Sequence, residues 1–211
     1  HNTGYCRLDN LISKSSTLPT GYGGQPKVLL APTWGPSSLI EFGIDRVIQN
    51  LLDSSIQVAL RFHPMSFRQH KDLHDQYYAL FGDHPLFTLD NSFASSATLL
   101  ESDLILSEWS GAAHDFALGL LRPAIFVDTP QKAHNDIYPQ LDIECYEDVV
   151  RGDLGALVGL HQIDSLPDIV TSLLGERVEW RQRLELLRHE VLFNPGNAIH
   201  VAAMQILDLI T

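Results

Sequence analysis

The sequence is poor in basic residues. It holds 14 lysines and arginines against 26 aspartates and glutamates, so the formal net charge is −12. A protein that binds nucleic acid needs a basic face to displace counterions, and this balance argues against a nucleic-acid partner. A bound nucleotide would have to be held by local donors, because the overall field repels anions.

Cysteine is also scarce, and long apolar runs are missing. Cys6 and Cys145 lie far apart without metal-ligand spacing, which fits a reduced, cytoplasmic protein. No apolar run is long enough to span a bilayer, and no signal-peptide pattern begins the sequence. Since the chain does not start with methionine, we expect it to be a fragment of a longer protein. The sequence does not decide whether that longer protein associates peripherally with a membrane.

Common catalytic and metal motifs are absent too. The sequence has neither a Gly-x-Ser-x-Gly elbow nor a Walker loop. His70 and His74 share one helical face, but the metalloprotease glutamate is missing between them and no third ligand follows. We therefore predict no metal site.

Apolar runs of strand length alternate with amphipathic segments along most of the chain. This alternation implies βαβ crossovers and predicts an α/β fold, a Rossmann-like parallel sheet flanked by helices. Residues 1–25 are rich in Gly, Ser, Thr and Asn and are predicted to be a connector, which leaves 26–211 as one domain. The predicted strands are 27–31, 56–62, 86–89, 104–106, 124–127 and an edge strand at 143–146; the predicted helices are 39–52 (with Ser37 as its N-cap), 68–81, 94–100, 112–121, 154–160, one or two within 166–191, and 198–210.

The segment from Asp103 to Asp128 is expected to organise the site. A buried strand is followed there by a turn, a helix and a second buried strand. Ser110 and Gly111 fall at the helix N-terminus, where free N–H groups and the helix dipole favour a phosphate. The alternative is that Ser110 is an ordinary N-cap.

Other polar residues follow neighbouring strands of the predicted sheet. Ligands of parallel α/β sheets bind beyond the carboxyl ends of the strands. That edge collects Thr33 and Trp34, the Arg61–Pro64 segment, Asp90 and the Ser107–Gly111 turn. The sequence therefore predicts one crevice, formed by four strand ends.

With these residues in view, the chain resembles the C-terminal half of CDP-glycerol glycerophosphotransferases, the teichoic-acid polymerase and primase family. The likeness extends over nearly the whole chain, with the segments in the family's order. The chain differs from the family after the tryptophan of the first segment, where the family usually has a basic residue and this chain has Gly35. The similar segments are 4–9, 28–34, 60–64, 107–111 with 115–117, 122–126 and 196–198. The His63-Pro64 and Ser-Gly elements also look like those of UDP-N-acetylglucosamine 2-epimerases.

The resemblance implies the C-terminal, donor-binding half of a two-domain GT-B fold. It further implies that the acceptor and its general base come from an N-terminal half that is missing here, so that the fragment binds better than it catalyses. The implied activity is transfer of a polyol phosphate from a CDP-activated donor to a hydroxyl acceptor in cell-wall or capsular polymer synthesis. The donor is a substrate, and no cofactor is implied. The alternatives are a UDP-sugar glycosyltransferase, an epimerase-like enzyme, or a non-catalytic nucleotide-binding module.

Candidate residues follow from this implied role, each with a structural alternative. His63 is the catalytic candidate, which would donate a hydrogen bond to the diphosphate or else cap a strand end. Arg61 would bind the same diphosphate or form a salt bridge. Asp115 would bind ribose or be a solvated helix position. Glu108 would contact the nucleotide or cap the turn. Thr33 and Trp34 would line the nucleotide pocket or pack in the core.

Overall fold

The computed structural model describes residues 1–16, 24–92, 95–132, 135, 137–141 and 144–210. The strands are β1 (Lys27–Leu30), β2 (Gln57–Leu60), β3 (Phe87–Leu89), β4 (Leu104–Ser107), β5 (Ala124–Asp128) and β6 (Gly155–Gly159). The α-helices are α1 (Cys6–Ser15), α2 (Ile44–Asp53), α3 (Ser66–Gln69), α4 (Leu73–Phe81), α5 (Ala97–Glu101), α6 (Gly111–Leu120), α7 (Tyr146–Leu154), α8 (Leu166–Gly175), α9 (Arg177–Val191) and α10 (Ala198–Ile210). Short 3-10 helices cover Leu39–Phe42, Tyr138–Gln140 and Leu160–Ser165.

These strands form one parallel sheet in the order β3-β2-β1-β4-β5-β6. The predicted Rossmann-like sheet is confirmed. The chain builds outward from β1 through β2 to β3, and then returns to place β4 on the other side of β1. In such sheets the ligand crevice opens beyond the carboxyl ends of the two strands at this reversal. The fold thus places the exits of β1 and β4 side by side.

Burial explains why the apolar runs become strands at the centre of the sheet. Every residue of β4 is buried, as expected for a parallel strand covered on both faces. Helix α2 packs against β2 and α8, whereas α6 packs against β4, β5, α1 and α9. Crossovers between parallel strands are right-handed. The crossover from β1 to β2, which contains α2, and the crossover from β4 to β5, which contains α6, run in opposite directions across the sheet. Helices α2 and α6 therefore cover opposite faces of the sheet.

The helix predicted at 39–52 is divided in the structure. Residues Leu39–Phe42 form a 3-10 helix, Gly43 adopts a left-handed conformation with φ of 91°, and α2 begins at Ile44. The N-cap is Ser38 and not Ser37, because the Ser38 side chain accepts the N–H of Ile40 at 3.2 Å. Glycine tolerates a positive φ that other residues avoid, so the break occurs at Gly43.

The predicted connector at 1–25 is wrong in one part, since Cys6–Ser15 form a packed helix. Leu8 and Leu11 are buried in the core, and a side chain at Gly119 of α6 would approach Leu11 at 3.1 Å. The Asp9 carboxylate accepts the N–H of Ile199 at 2.7 Å and so joins α1 to the start of α10. Residues 17–23 of the connector lie outside the described residues.

Two predictions near the far edge of the sheet are wrong. Tyr146 begins α7, so it does not end an edge strand; Ile143, in the same predicted strand, lies outside the described residues. Residues Gly155–Gly159, predicted to be helical, form β6 beside β5. Gly155 allows this pairing, because a Cβ there would meet the carbonyl of Ala124. A long-range backbone approach therefore overrides local helix preference.

Candidate functional site at the carboxyl ends of the strands

Glu108 connects the exits of β1 and β4. Its Oε1 atom accepts the backbone N–H groups of Thr33 and Leu39, both at 2.8 Å. The neighbouring Ser107 hydroxyl donates to the carbonyl of Ala31 at 2.6 Å. These bonds hold the loop after β1 against the turn after β4, at the reversal point of the sheet.

The Glu108 side chain is fully buried, with 0% of its surface exposed. Burial raises its pKa to about 7, although the two backbone N–H groups, Ser38 and the charge of Lys132 each favour the ionised form. A carboxylate in this position supports the crevice from inside. Contact between Glu108 and a nucleotide stays a prediction, which we do not carry into the proposed site.

His63 follows β2 at the same edge of the sheet. Its Nδ1 atom accepts the N–H of Met65 at 3.1 Å, so the neutral ring carries its proton on Nε2. Its ring centroid lies 6.2 Å from that of Trp34, which follows β1. Burial, together with the nearby charge of Lys132, lowers the pKa of His63. His63 is thus a neutral hydrogen-bond donor at pH 7.

Ser110 and Gly111 begin α6 as the sequence predicts. The Ser110 side chain accepts the N–H of Ala112 at 3.3 Å, so the N-cap interpretation is correct for its hydroxyl. The space above Gly111 is open, because no described atom would lie within 4 Å of a Cβ at this position. Since Ala112 donates to the Ser110 hydroxyl and Ala113 to the Ser110 carbonyl, this corner offers an anion the positive end of the α6 dipole and the open space above Gly111.

A cleft of ≈ 330 Å³ opens over this corner, and we call it the Ser110 cleft. Its volume is at the lower end of the range for small-molecule sites. The cleft is lined by the start of α6, by the segment that follows β5 and by the start of α7. The described lining residues are Trp109, Ser110, Gly111, Gln131, Lys132, Asn135, Tyr138, Cys145, Glu147 and Asp148.

Sequence reasoning missed Lys132, which joins the two parts of the site. Its Nζ atom lies 2.6 Å from the Thr33 hydroxyl and 4.4 Å from the centre of the Trp34 ring. The same residue lines the Ser110 cleft. Lys132 therefore bridges the exit of β1 and the start of α6, and its charge extends to His63. A single lysine in a polar loop carries no motif by which it could have been found.

Arg61 lies at the same edge but is engaged elsewhere. Its Nε and Nη2 atoms contact Oδ2 of Asp90 at 2.7 and 2.5 Å, and Nη2 also donates to the carbonyl of Ser95 at 3.2 Å. Burial opposes ionisation of Asp90, but hydrogen bonds from Ser92, Thr98 and Arg61 outweigh it and lower its pKa to about 2. The predicted salt-bridge alternative for Arg61 is present, and we leave it out of the proposed diphosphate site.

Asp115 is separated from the Ser110 cleft. It is buried on α6, and its Oδ2 lies 2.9 Å from Nε of Arg7 in α1. It lines a second pocket with Tyr5, Leu8 and His114, among others. The predicted solvated helix position is wrong for Asp115, and its role in ribose binding stays a prediction.

Two further properties concern metals and membranes. Among the residues described, no three His, Cys, Asp or Glu side chains are placed to hold one metal ion. Over the same part of the chain, no helix has the length and apolar character that crossing a bilayer requires.

Comparison with known proteins gives matches among solved structures. No protein-family model matches the chain, and no curated protein does. A glycosyltransferase of kitacinnamycin matches with a TM-score of 0.56 and 17% identity, over 90% of this chain and 43% of its own. The UDP-GlcNAc 2-epimerase of Methanocaldococcus jannaschii, solved with UDP-GlcNAc and UDP, matches with a TM-score of 0.55 and 12% identity, over 98% of this chain and 54% of its own.

The wall teichoic acid polymerase TagF also matches, at 16% identity and a TM-score of 0.49, over 96% of this chain and 47% of its own. The chain thus spans about half the length of the solved structures that it matches. At these identities the likeness concerns the fold. The chain has a Rossmann-like α/β fold, which is similar to part of this glycosyltransferase and to part of this epimerase.

Proposed function

We propose that this chain is the donor-binding domain of a transferase that uses a nucleotide-activated substrate. The observation that carries the proposal is the grouping of His63, Trp34, Lys132 and the Ser110-Gly111 corner at one edge of the sheet. A neutral hydrogen-bond donor, an aromatic face, a cation and a helix N-terminus are the groups that a nucleoside diphosphate requires.

The lead donor is a CDP-activated polyol, such as CDP-glycerol. The ordered sequence segments that resemble the glycerophosphotransferases favour this class. In the reaction an acceptor hydroxyl oxygen attacks the β-phosphorus, the bond from that phosphorus to the bridging oxygen breaks, and CMP leaves with the electron pair. The acceptor's proton passes to a base in the partner half of the full-length protein. His63 and the start of α6 stabilise the charge that develops on the diphosphate.

The second candidate donor is a UDP-sugar. It is favoured by the fold likeness to a UDP-GlcNAc 2-epimerase and to a glycosyltransferase, both with TM-scores above 0.5. Both candidates use the same diphosphate groups of this chain and differ in the base and in the group transferred. A module that binds nucleotide without catalysis is the third alternative.

Calorimetric titration of the 211-residue chain with CDP-glycerol, CDP and UDP-N-acetylglucosamine tests the proposal. We expect CDP-glycerol and CDP to bind, and UDP-N-acetylglucosamine to bind at least tenfold more weakly. Preference for the uridine donor would replace the lead candidate with the second one. Failure of all three to bind would reject a donor-binding domain. Binding by a full-length protein that gives no turnover with its acceptor would identify a non-catalytic module.

A further inference from the structure

Lys132 occupies a central position between the two parts of the proposed site. It follows β5, reaches the Thr33 hydroxyl at 2.6 Å, and lines the Ser110 cleft beside Gly111. Its ammonium group lies over the Trp34 ring at 4.4 Å, a cation–π distance. Three separate elements therefore place one positive charge between the exit of β1 and the start of α6.

The charge balance at this edge favours such a group. The diphosphate of a CDP-activated donor brings about two negative charges, and that of CDP about three, to a chain whose net charge is −12. The N-terminus of α6 supplies only about half a positive charge, and neutral His63 supplies a hydrogen bond without charge. A further cation at this edge would offset the repulsion by the acidic chain.

Two other described cations near this edge are bonded to carboxylates. Arg61 contacts Asp90, as described above, and Nη2 of Arg151 lies 3.1 Å from Oδ1 of Asp128, with its guanidinium stacked on Trp109. Among the described residues that line the Ser110 cleft, Lys132 is the cationic one. Buried Glu108 favours the charged form of Lys132 and so opposes the effect of burial, which lowers the lysine's pKa.

We propose that Lys132 is the diphosphate-binding cation of this site, with Thr33 and Trp34 holding its ammonium group over the cleft. This inference rests on the proposed function. On binding, the ammonium exchanges its contact with the Thr33 hydroxyl for oxygens of the diphosphate. Glu108 acts as a positioning residue, because it accepts the backbone N–H of Thr33 and so fixes the loop that contacts the lysine.

The first test is calorimetric titration of the unchanged chain, Lys132→Met and Lys132→Arg with CDP and with cytidine. Loss of a charge-assisted contact should weaken CDP binding by roughly tenfold or more in Lys132→Met, whereas Lys132→Arg should remain within about threefold of the unchanged chain. Affinity for cytidine, which has no phosphate, should be equal in all three. Lys71→Met is the matched control, because it removes the same charge at an exposed position outside the cleft lining.

A second readout needs no ligand. The charge of Lys132 contributes to the lowered pKa of His63, so NMR titration should give a higher His63 midpoint in Lys132→Met than in the unchanged chain. Equal CDP affinity of the unchanged chain and Lys132→Met, or an unmoved His63 midpoint, would overturn this inference alone. If the unchanged chain does not bind CDP at all, the proposed function fails and this inference fails with it.

Discussion

Glu108 accepts the backbone N–H of Thr33 at 2.8 Å, although 75 positions separate the two residues in the chain. This bond joins the exits of β1 and β4, the two strands at which the sheet reverses direction. The carboxylate has no exposed surface, so its ionisation is tied to the integrity of the folded site. The stability of the domain is therefore expected to depend on whether Glu108 is protonated.

We expect Glu108→Gln to change how stability depends on pH. Burial raises the Glu108 pKa from its ordinary 4.5 to about 7, so the folded chain holds this proton more tightly than the unfolded chain. Protonated Glu108 makes its whole contribution to the free energy of unfolding below pH 4.5. This contribution is lost as pH rises to 7, and the loss is about 3 kcal/mol at most. Urea unfolding at pH 5, 6, 7 and 8 measures this contribution as the difference between the unchanged chain and Glu108→Gln.

The comparison with Glu108→Gln also cancels other titrating groups. His63 and His114 have lowered pKa values, which makes stability rise with pH up to 6.5, opposite in sign to the effect of Glu108. Both histidines are present in each variant, so their contribution disappears from the difference. A difference that stays constant from pH 5 to 8 would contradict a raised Glu108 pKa.

Gly111→Glu should abolish CDP binding without harming the fold. A Cβ atom at this position has no described atom of another part of the chain within 4 Å, and an acidic residue in the first turn of a helix is stabilising. The added carboxylate would occupy the position of the bound phosphate at the start of α6 and would repel the diphosphate. Calorimetry should show at least a tenfold loss of CDP affinity, with an unchanged or higher melting temperature.

Gly111→Gln separates charge from bulk in this experiment, because the two side chains have nearly the same size. An intermediate loss of affinity in Gly111→Gln is expected if both repulsion and obstruction contribute. Unaltered CDP binding by Gly111→Glu would show that the corner at the start of α6 does not hold the phosphate.

Arg61→Met should lower stability while CDP affinity stays within about twofold. Its partner Asp90 has 6% of its side chain exposed, and removing the arginine leaves that carboxylate without its cation. The expected loss is roughly 3 kcal/mol in the free energy of unfolding, measured by urea denaturation at pH 7. The opposite pattern, with affinity lost and stability retained, would return Arg61 to the diphosphate site.

Leu8→Ala should destabilise the domain by about 3 kcal/mol, because Leu8 is 2% exposed and α1 packs against α6. Leu80→Ala, which truncates a leucine with 58% exposure on α4, is the control and should cost less than about 0.5 kcal/mol. Equal stability of the two variants would restore the interpretation of the N-terminal segment as an unpacked connector.

The sequence was sufficient for those elements whose signal is local. The apolar runs at 28–30, 58–60 and 104–106 became central strands because a parallel strand that is covered on both faces is mostly apolar. Ser110, followed by the break at Arg122-Pro123, bounded α6 nearly as predicted. The carboxyl end of each strand, and with it the position of His63 and Trp34, followed from those boundaries.

Elements that depend on distant partners were mispredicted. Helix α1 is amphipathic but lies among polar residues, and only its packing on α6 and α10 stabilises it. Strand β6 forms because Gly155 lets its backbone approach that of Ala124. The hydrophobic periodicity of the sequence does not reveal such a long-range contact.

The order of the central strands, the helices between them and their polar ends was determined by the sequence itself, since hydrophobic patterning and capping act over a few residues. Tertiary structure alone decided which polar groups meet: it brought Lys132 to Thr33, paired Arg61 with Asp90, and buried Asp115 against Arg7. The physical reason is that electrostatic partners are chosen by distance in space, and that distance is set by how the sheet brings strand ends together.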